Sequence, residues 1–305
     1  MTPVEMYNEF LSYLDAGDEF FSGAEVWAKL DAANREIVRT IAQQDATYYV
    51  QSTTLTTVAD QALYDLPLNA RLGSRILFTE DVSSGLEIPP VQELKEHLDF
   101  NAPGLVNLTS SWHFIMEGNQ VRIMPTPGAA GESIRVWYIP SFGQMIQGKI
   151  SAFPSTTTFD WWAGDPNYTT NFGTPDPRDD YYNGMMLMVT KNTGIGETKT
   201  VSDYTGGATR RITVSAAFTA TLVATTGTET EVALLSPVPE DFHQMVPLRA
   251  AIDGAVKNRN RLDDLMKVYY GSPGRAGLER DLLGWLNSRQ DAMLGVVVPI
   301  DTASF

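Results

Sequence analysis

The three histidines of the chain, His97, His113 and His243, are its first candidates for proton transfer and metal binding. They fall in three separate predicted elements, and no G-x-S-x-G sequence supplies a nucleophile elbow. They lack H-x-x-x-H spacing, and the chain has no cysteine that would complete a zinc site. We therefore predict no catalytic triad, no metal site and no cofactor.

Acidic residues offer a second kind of chemistry, because carboxylates bind calcium and hydrolyse glycosidic bonds. Residues 160–180 are rich in aspartate but lack the D-x-[DN]-x-[DN]-G spacing of a calcium loop, so a solvated turn is the favoured interpretation. The 37 Asp and Glu residues leave many pairs that could act in a glycosidase, and a sequence gives no distances between them. A carboxylate glycosidase therefore stays open as an alternative.

A third candidate site is aromatic and consists of Trp161, Trp162, Tyr168 and Phe172. Aromatic faces in loops rich in Asp and Asn can stack on sugars, which would suit a glycan-binding protein. Such side chains also anchor loops and dominate contacts between subunits. We favour an anchor or a contact with another subunit over a sugar platform.

Charge limits the partners of the chain. With a net charge of −15 and a pI of about 4.6, the average surface repels phosphate, so a sequence-specific nucleic-acid binder is not expected. Basic residues are concentrated in the C-terminal fifth, at Arg249, Lys257, Arg259, Arg261, Lys267, Arg275, Arg280 and Arg289. Pairing with neighbouring acids on solvated helix faces is the favoured interpretation, and a contact surface for an acidic partner is the alternative.

The length and composition of the chain allow a full hydrophobic core, at 305 residues and 43% hydrophobic content. No apolar run reaches the roughly 18 residues of a membrane span, and acids stand where a signal peptide would carry bases. We expect neither membrane insertion nor export, and synthesis and use inside the cell.

Two helices are predicted at the N-terminus. Thr2 caps the first, over Pro3–Leu14, and Ser22 caps the second, over residues 23–44. Apolar residues recur at helical spacing along the second helix, at Val26, Leu30, Ala33, Ile37 and Ile41. This stripe is predicted to face the core.

Three further helices are expected near the C-terminus, over residues 240–258 with a kink at Pro247, 261–270 and 275–289. Residues 292–305 show no helical period, and their uncharged run over 293–300 would be a liability in water. We expect this segment to dock on a neighbour, and packing on its own chain is an equal alternative.

Two segments between the helices, residues 53–67 and 116–140, are predicted as β-hairpins, separated by a short helix at 91–100. Turns are expected at residues 59–61 and at Gly118-Asn119. Apolar residues alternate on the strands, namely Leu55 and Leu63 in the first segment and Val121, Ile123, Ile134, Val136 and Tyr138 in the second. Neither hairpin carries a catalytic group, which is typical of a structural protein rather than an enzyme.

The composition changes at Ser151, after which Thr, Gly, Asp and Asn prevail to about residue 235. Strands are predicted over residues 182–190, 197–203, 210–214 and 231–235. We therefore predict an α+β chain with four parts. They are a helical bundle formed by residues 1–50 and 237–290, a β-rich extension (51–150), an inserted all-β module (151–236) and an extended C-terminal tail (291–305).

Four pieces of sequence carry a family resemblance: residues 26–37 (VWAKLDAANREI), 57–67 (TVADQALYDLP), 118–125 with 137–140 (GNQVRIMP and WYIP), and 239–243 (PEDFH). In this order and spacing they resemble the head-to-tail connector, or adaptor, proteins of tailed bacteriophages, which lie beneath the portal. Residues 151–235 depart from the shortest connectors and look like an insertion.

The resemblance implies a ring of about twelve copies at the head-tail junction of the virion, made in the bacterial cytoplasm and bound to the portal and to a tail or nozzle protein. Candidate contacts with another subunit or with the tail protein are then Trp161, Trp162, Tyr168 and Phe172. Double-stranded DNA would pass through the ring during packaging and ejection without specific binding. The C-terminal segment would reach the portal, so the candidate portal contacts are Met293, Val296, Val297, Val298, Ile300 and Phe305. A peripheral glycan- or receptor-binding tail protein, with Trp161, Trp162 and Tyr168 as its contact, is the alternative.

Overall fold

The computed structural model describes residues 1–15, 20–71, 75–91, 112–162, 173–256 and 261–294. The chain divides into two compact units. The helix–barrel unit comprises residues 1–48 and 142–305, and the sheet unit comprises residues 49–141. Helices and antiparallel strands are both present, in agreement with the predicted α+β class.

The helices are α1 (Pro3–Leu14), α2 (Gly23–Gln44), α3 (Leu68–Arg71), α4 (Met245–Ala255), α5 (Leu262–Tyr270) and α6 (Leu278–Leu294), with a 3₁₀ turn at Glu240–Phe242. The strands are β1 (Gln51–Thr56), β2 (Leu63–Asp65), β3 (Arg75–Asp81), β4 (Glu87–Ile88), β5 (His113–Glu117), β6 (Gln120–Met124), β7 (Ser133–Ile139), β8 (Gln147–Ser155), β9 (Thr158–Trp161), β10 (Met186–Lys191), β11 (Thr198–Thr205), β12 (Arg211–Val214), β13 (Glu231–Leu234), β14 (Gly271–Ser272) and β15 (Arg275–Ala276). Within the described ranges, no helix combines the length and the apolar character that are needed to cross a bilayer.

Helices α1 and α2 have the predicted caps and bounds. The Thr2 hydroxyl accepts a hydrogen bond from Glu5 N, and the Glu5 carboxylate accepts one from Thr2 N, which forms a reciprocal capping box. The Ser22 hydroxyl accepts from Glu25 N at the start of α2. The predicted apolar stripe of α2 is buried, and both helices pack against α4.

The kink predicted at Pro247 is wrong, because α4 begins only at Met245. Pro247 therefore lies in the first turn of the helix, where a backbone N–H has no partner within the helix and proline fits without a bend. Helix α6 begins later than expected and runs to Leu294, beyond the expected end at residue 289. It thus includes the first residues of the segment that was predicted to be extended.

The sheet unit contains two antiparallel sheets, with the strand orders β1-β7-β3-β4 and β2-β6-β5. The predicted turn at Gly118-Asn119 joins β5 to β6, with Gly118 at a φ of +61°. Side chains of both sheets form one buried core, which includes Tyr64, Val121, Ile123, Ile134, Val136 and Tyr138. The predicted alternation on β6 and β7 is confirmed. The helix predicted at 91–100 lies, apart from Val91, outside the described residues.

The segment predicted as the first hairpin, residues 53–67, is not a hairpin. Strand β1 pairs with β7, whereas β2 pairs with β6 in the other sheet. Strands β6 and β7, which were predicted within one hairpin segment, also lie in different sheets. The distant pairing is favoured because it packs Leu55 and Tyr64 on a shared core, which an isolated two-stranded hairpin lacks.

Strands β8 to β13 form a closed barrel in the order β10-β11-β12-β9-β8-β13. Each neighbouring pair is antiparallel. The barrel encloses a core with many aromatic side chains, among them Phe159, Trp161, Trp162, Tyr182, Tyr204 and Phe218. Closure pairs every strand on both sides and so removes the free edges that an open sheet exposes.

Four of the six barrel strands, β10 to β13, were predicted to within a few residues. Strand β10 begins at Met186 rather than at residue 182, because Met185 N donates to Tyr182 O in a turn. Strands β8 and β9 were not predicted, since Ser and Thr interrupt their apolar residues in a stretch that resembles a loop. That residues 151–236 form a separate inserted module stays a prediction.

Candidate functional sites

Three polar side chains of α2, at successive turns of the helix, hold the connections that lead into and out of the barrel. Trp27 Nε1 donates to Met145 O at 3.0 Å, and Met145 N donates to Asp31 Oδ1 at 3.4 Å. The hydroxyl of Ser236 donates to Asn34 Oδ1 at 2.6 Å. Because Met145 precedes β8 and Ser236 follows β13, the barrel is attached to α2 at both of its ends.

The same junction leaves no room for larger residues at two glycines. A Cβ at Gly173, whose φ is +94°, would lie 2.5 Å from Ile146 Cγ2 and 3.0 Å from Trp27 Nε1. A Cβ at Gly143 would lie 2.8 Å from Tyr181 O. Any side chain at these positions would push the loops away from each other or from α2.

Asp31 is the chemically unusual group of this junction. It is 4% exposed, and its burial raises the pKa of the carboxyl from 3.8 to about 7, although Arg35 and the Met145 N–H oppose that shift. Partial burial raises the pKa of the Tyr181 hydroxyl, and the charge of Asp31 contributes to that rise. The site can therefore change its protonation near neutral pH.

Sequence reasoning missed this junction, although it recognised residues 26–37 as one piece. Trp27, Asp31 and Asn34 stand at i, i+4 and i+7, which places them along one face of the helix next to the apolar stripe. A buried polar row beside an apolar stripe indicates hydrogen-bonded contacts with another segment. That spacing was the available signal.

The predicted aromatic site is divided between a buried pair and residues outside the described ranges. Trp161 ends β9 and is 3% exposed, and Trp162 is 6% exposed. Their rings meet edge to face at a centroid distance of 4.7 Å, and Trp161 also contacts Phe159 and Tyr182. Neither indole offers an exposed face to a sugar. The burial favours the anchor role, and a contact with another subunit or a tail protein stays a prediction.

The C-terminal helix is fixed to the end of α2 by a group of side chains that we call the α6 anchor, namely Gln44, Asp45, Tyr48, Trp285, Asn287, Arg289 and Gln290. The Gln290 amide donates to the Gln44 carbonyl at 2.6 Å, which satisfies one of the free carbonyls at the end of α2. The Gln44 amide donates to Asn287 Oδ1 at 2.6 Å. The ring of Trp285 packs edge to face on Tyr48 at a centroid distance of 5.8 Å.

An arginine and a buried carboxylate lie at the centre of the α6 anchor. Asp45 is 1% exposed, and its Oδ2 makes no hydrogen bond and lies 3.8 Å from Arg289 Nη1. The Arg289 guanidinium lies 4.6 Å from the centre of the Tyr48 ring. The anchor thus holds α6 against the end of α2.

The predicted portal contacts begin just after this anchor. Met293 belongs to α6. The other five residues, Val296, Val297, Val298, Ile300 and Phe305, lie outside the described residues. Their role in binding a partner stays a prediction.

Several basic residues of the C-terminal fifth pair with acids within the chain. The half-buried Arg249 bridges Glu36 at 2.9 Å and Asp253 at 2.6 Å, and these hydrogen bonds hold the pKa of its guanidinium above the usual range, despite partial burial. Ion pairs also join Lys267 to Asp264, Arg261 to Asp15 and Arg289 to Asp45. For these residues the paired interpretation is supported, and a surface for an acidic partner stays a prediction.

The histidines lie in unrelated surroundings. His113 is on β5, whereas His243 is buried in the helix–barrel unit with Nε2 2.8 Å from Val238 O, and burial lowers its pKa. His97 lies outside the described residues. In the part of the chain that the structure describes, no group of three or more His, Cys, Asp or Glu residues is arranged to hold a metal ion.

The sequence model of one protein family, described as SU10 adaptor protein, matches residues 1–169. The matched region includes α1, α2, the whole sheet unit and the first two strands of the barrel. It also contains Trp27, Asp31 and Asn34, the residues that attach the barrel. No curated protein matches the chain.

Proposed function

The chain belongs to the SU10 adaptor protein family of structural phage virion proteins, and we propose that it forms a ring that joins the portal of the head to the tail. The family match over residues 1–169 carries this proposal. In the ring of about twelve copies, the helical regions would form a bundle body, with the sheet unit and the barrel as extensions. The virion is the place where such a protein acts.

The net charge of −15 supports a role as a conduit for DNA. An acidic channel repels phosphate and lets a duplex slide, whereas a protein that grips DNA neutralises phosphates with lysine and arginine. Arg249, Arg261, Lys267 and Arg289 near the C-terminus are already paired with carboxylates of the same chain. We propose that DNA passes the ring during packaging and ejection without specific contacts.

We propose the C-terminal segment as the portal contact. Helix α6 is held on α2 by the Gln290 and Arg289 contacts, so the segment that follows starts from a fixed place. The candidate contacts are the apolar residues Met293, Val296, Val297, Val298, Ile300 and Phe305. A fixed starting point lowers the entropy that is lost when the segment binds.

The test is to mix the purified protein with tailless heads that retain their portal and to image the particles. We expect a closed ring of copies beneath the portal. Heads that bind no protein, or bind it without ring symmetry, would contradict the adaptor function.

A length-preserving variant tests the portal contact. Replacing Val296, Val297 and Val298 together by Ser removes apolar surface without shortening the chain, and we expect binding to heads to fall at least about 10-fold. The matched control is Thr302→Ala with Ser304→Ala, which changes polar residues of the same segment and should bind like the wild type. Equal binding by both variants would count against the portal contact.

The conduit role predicts that the protein leaves the mobility of double-stranded DNA unchanged at physiological salt. A mobility shift that weakens steeply with added salt would show phosphate neutralisation and would overturn the role.

A further inference from the structure

Strand β1 has one side whose backbone groups find no partner among the described residues. It pairs with β7 along its whole length, from Gln51↔Tyr138 to Thr56↔Ser133, and it stands last in its sheet. One residue beyond the strand, in the same register, Thr57 N donates to Glu132 O at 2.8 Å. Hydrogen-bonded and non-hydrogen-bonded pairs alternate along an antiparallel ladder, so the odd-numbered residues of β1 are the ones that bond to β7. The N–H and C=O groups of Ser52, Thr54 and Thr56 therefore point away from the sheet.

The neighbouring strand confirms this orientation. Val82 N donates to Ser133 O at 2.9 Å, so the carbonyl of Ser133 faces β3 and not β1. Ser133 is the register partner of Thr56. The groups of Thr56 that would otherwise meet Ser133 thus face the open side.

This edge lacks the features that usually block an exposed strand. Natural sheets protect their edges with charges, proline, bulges or very short strands. Strand β1 (QSTTLT) is six residues long, has no charge and no proline, and pairs without a bulge. By contrast, β4 has two residues and is followed by Pro89 and Pro90, and β5 is covered by a bond from Phe114 N to Pro89 O.

Two features of the edge indicate what covers it. A row of free N–H and C=O groups is complementary to an extended peptide strand. The exposed side chains beside it, Ser52, Thr54 and Thr56, are uncharged, although the chain carries −15 overall. Two copies of so acidic a chain repel each other on average, and an uncharged edge lets them approach without placing like charges side by side.

We propose that the open side of β1 pairs with an extended strand of a second copy of this chain. This inference rests on the proposed adaptor ring, in which one contact between unlike surfaces repeats around the circle. The backbone ladder would supply affinity, and the uncharged Ser and Thr row would add no repulsion between like charges.

Residue-resolved hydrogen exchange tests the proposal directly. In the dilute monomer, the amides of Ser52, Thr54 and Thr56 should exchange much faster than those of Thr53 and Leu55, which bond to β7. In rings bound to tailless heads, and in concentrated protein that self-associates, the same three amides should slow at least about 10-fold. Rings that leave these amides unprotected would overturn the inference while the adaptor function stands.

A proline substitution gives an independent measurement. Thr54→Pro removes an outward N–H without removing a bond to β7, and Thr54→Val keeps the N–H and the branched shape. We expect Thr54→Pro to weaken association between copies at least about 10-fold and Thr54→Val to leave it unchanged. Equal association of the two variants would contradict the inference. The exchange measurement on the wild type decides the matter if Thr54→Pro fails to fold.

The two proposals fail in different ways. Wild-type protein that protects β1 on self-association but binds no heads would overturn the adaptor function alone. The β1 amides could also become protected only when a different head or tail protein is added, with no contact between copies. That result would show that a different protein covers β1 and would overturn the inference.

Discussion

The barrel of residues 147–234 pairs each of its strands on both sides, whereas the four-stranded sheet of residues 49–141 leaves one side of β1 unpaired among the described residues. Aromatic and aliphatic side chains together fill the barrel core, and closure pairs its strands within one chain. The sheet unit has a core of its own but an incomplete ladder. A closed β region can be stable alone, while an open one retains the capacity to pair with another chain.

The largest expected effect is the loss of stability when an indole ring is removed, and this loss should differ between the barrel and the sheet unit. Trp161 lies in the barrel core against Phe159 and Tyr182, whereas Trp137 lies half-buried on the outer face of the sheet, stacked on Phe78 at 5.6 Å. We expect Trp161→Ala to lower the free energy of unfolding by about 3–5 kcal/mol and Trp137→Ala by about 1–2 kcal/mol. Chemical denaturation of both variants provides the measurement. Equal losses would show that the barrel core does not depend on its aromatic contacts.

The contrast between the regions also explains what the sequence could predict. Caps and turns depend on a few neighbouring residues, so the bounds of α1 and α2 and the Gly118-Asn119 turn were predictable. Strand pairing depends on residues far apart, and β1 was therefore assigned to β2 although it pairs with β7. Strands β8 and β9 were missed because Ser and Thr interrupt their apolar residues, although the two strands are neighbours in sequence and pair with each other.

The candidate sites were likewise predictable where they depend on neighbouring residues and not where they depend on residues far apart in sequence. The Trp161-Trp162 pair was noticed for its residue types, but its burial follows from barrel closure, which no local pattern reveals. The α6 anchor joins Gln44 to Gln290, at opposite ends of the chain, and was not predicted. The row of Trp27, Asp31 and Asn34 was visible as a helical spacing, but its partners Met145 and Ser236 were not.

The attachment of the barrel to α2 should depend on pH through Asp31. Its pKa in the folded protein is about 7, against 3.8 for the free group, so folding favours the protonated carboxyl. The contribution of Asp31 to the free energy of unfolding, up to about 4 kcal/mol, is fully present below about pH 4. It is lost as the pH rises to about 7. Asp31→Asn should flatten this dependence and be more stable than the wild type at pH 8.

Denaturation of the wild type, Asp31→Asn and Asp264→Asn at pH 5 and pH 8 makes the comparison. Asp264 lies exposed on α5, so its variant controls for the loss of one negative charge. A wild-type protein whose stability rises between these pH values in the same way as that of Asp31→Asn would refute the assignment. The sheet unit contains no part of this junction, so a probe such as Trp137 fluorescence should follow the pH less closely.

A smaller effect is expected at the α6 anchor. Arg289→Ala would leave the buried Asp45 without its cation, and we expect a loss of about 1–2 kcal/mol together with weaker binding to tailless heads. Arg261→Ala removes an exposed pair with Asp15 and should cost less than about 0.5 kcal/mol. Urea titrations and head-binding assays on both variants measure the difference. If Arg289→Ala binds heads as the wild type does, the anchor does not position the C-terminal segment.

The smallest losses of stability should come from removing ion pairs across strands. Comparing one such pair in the closed barrel with one in the open sheet tests what holds each of them together. Lys191 bridges Glu231 at 3.1 Å where β10 meets β13, and Arg135 bridges Glu80 at 2.8 Å across β7 and β3. We expect Lys191→Ala to cost less than about 0.5 kcal/mol, because the backbone ladder and core already hold the barrel closed. Arg135→Ala should cost up to about 1 kcal/mol, since Arg135 also lies 5.9 Å from the Trp137 ring. A larger loss in the barrel, measured by thermal and urea unfolding, would mean that closure depends on its charges rather than on its ladder.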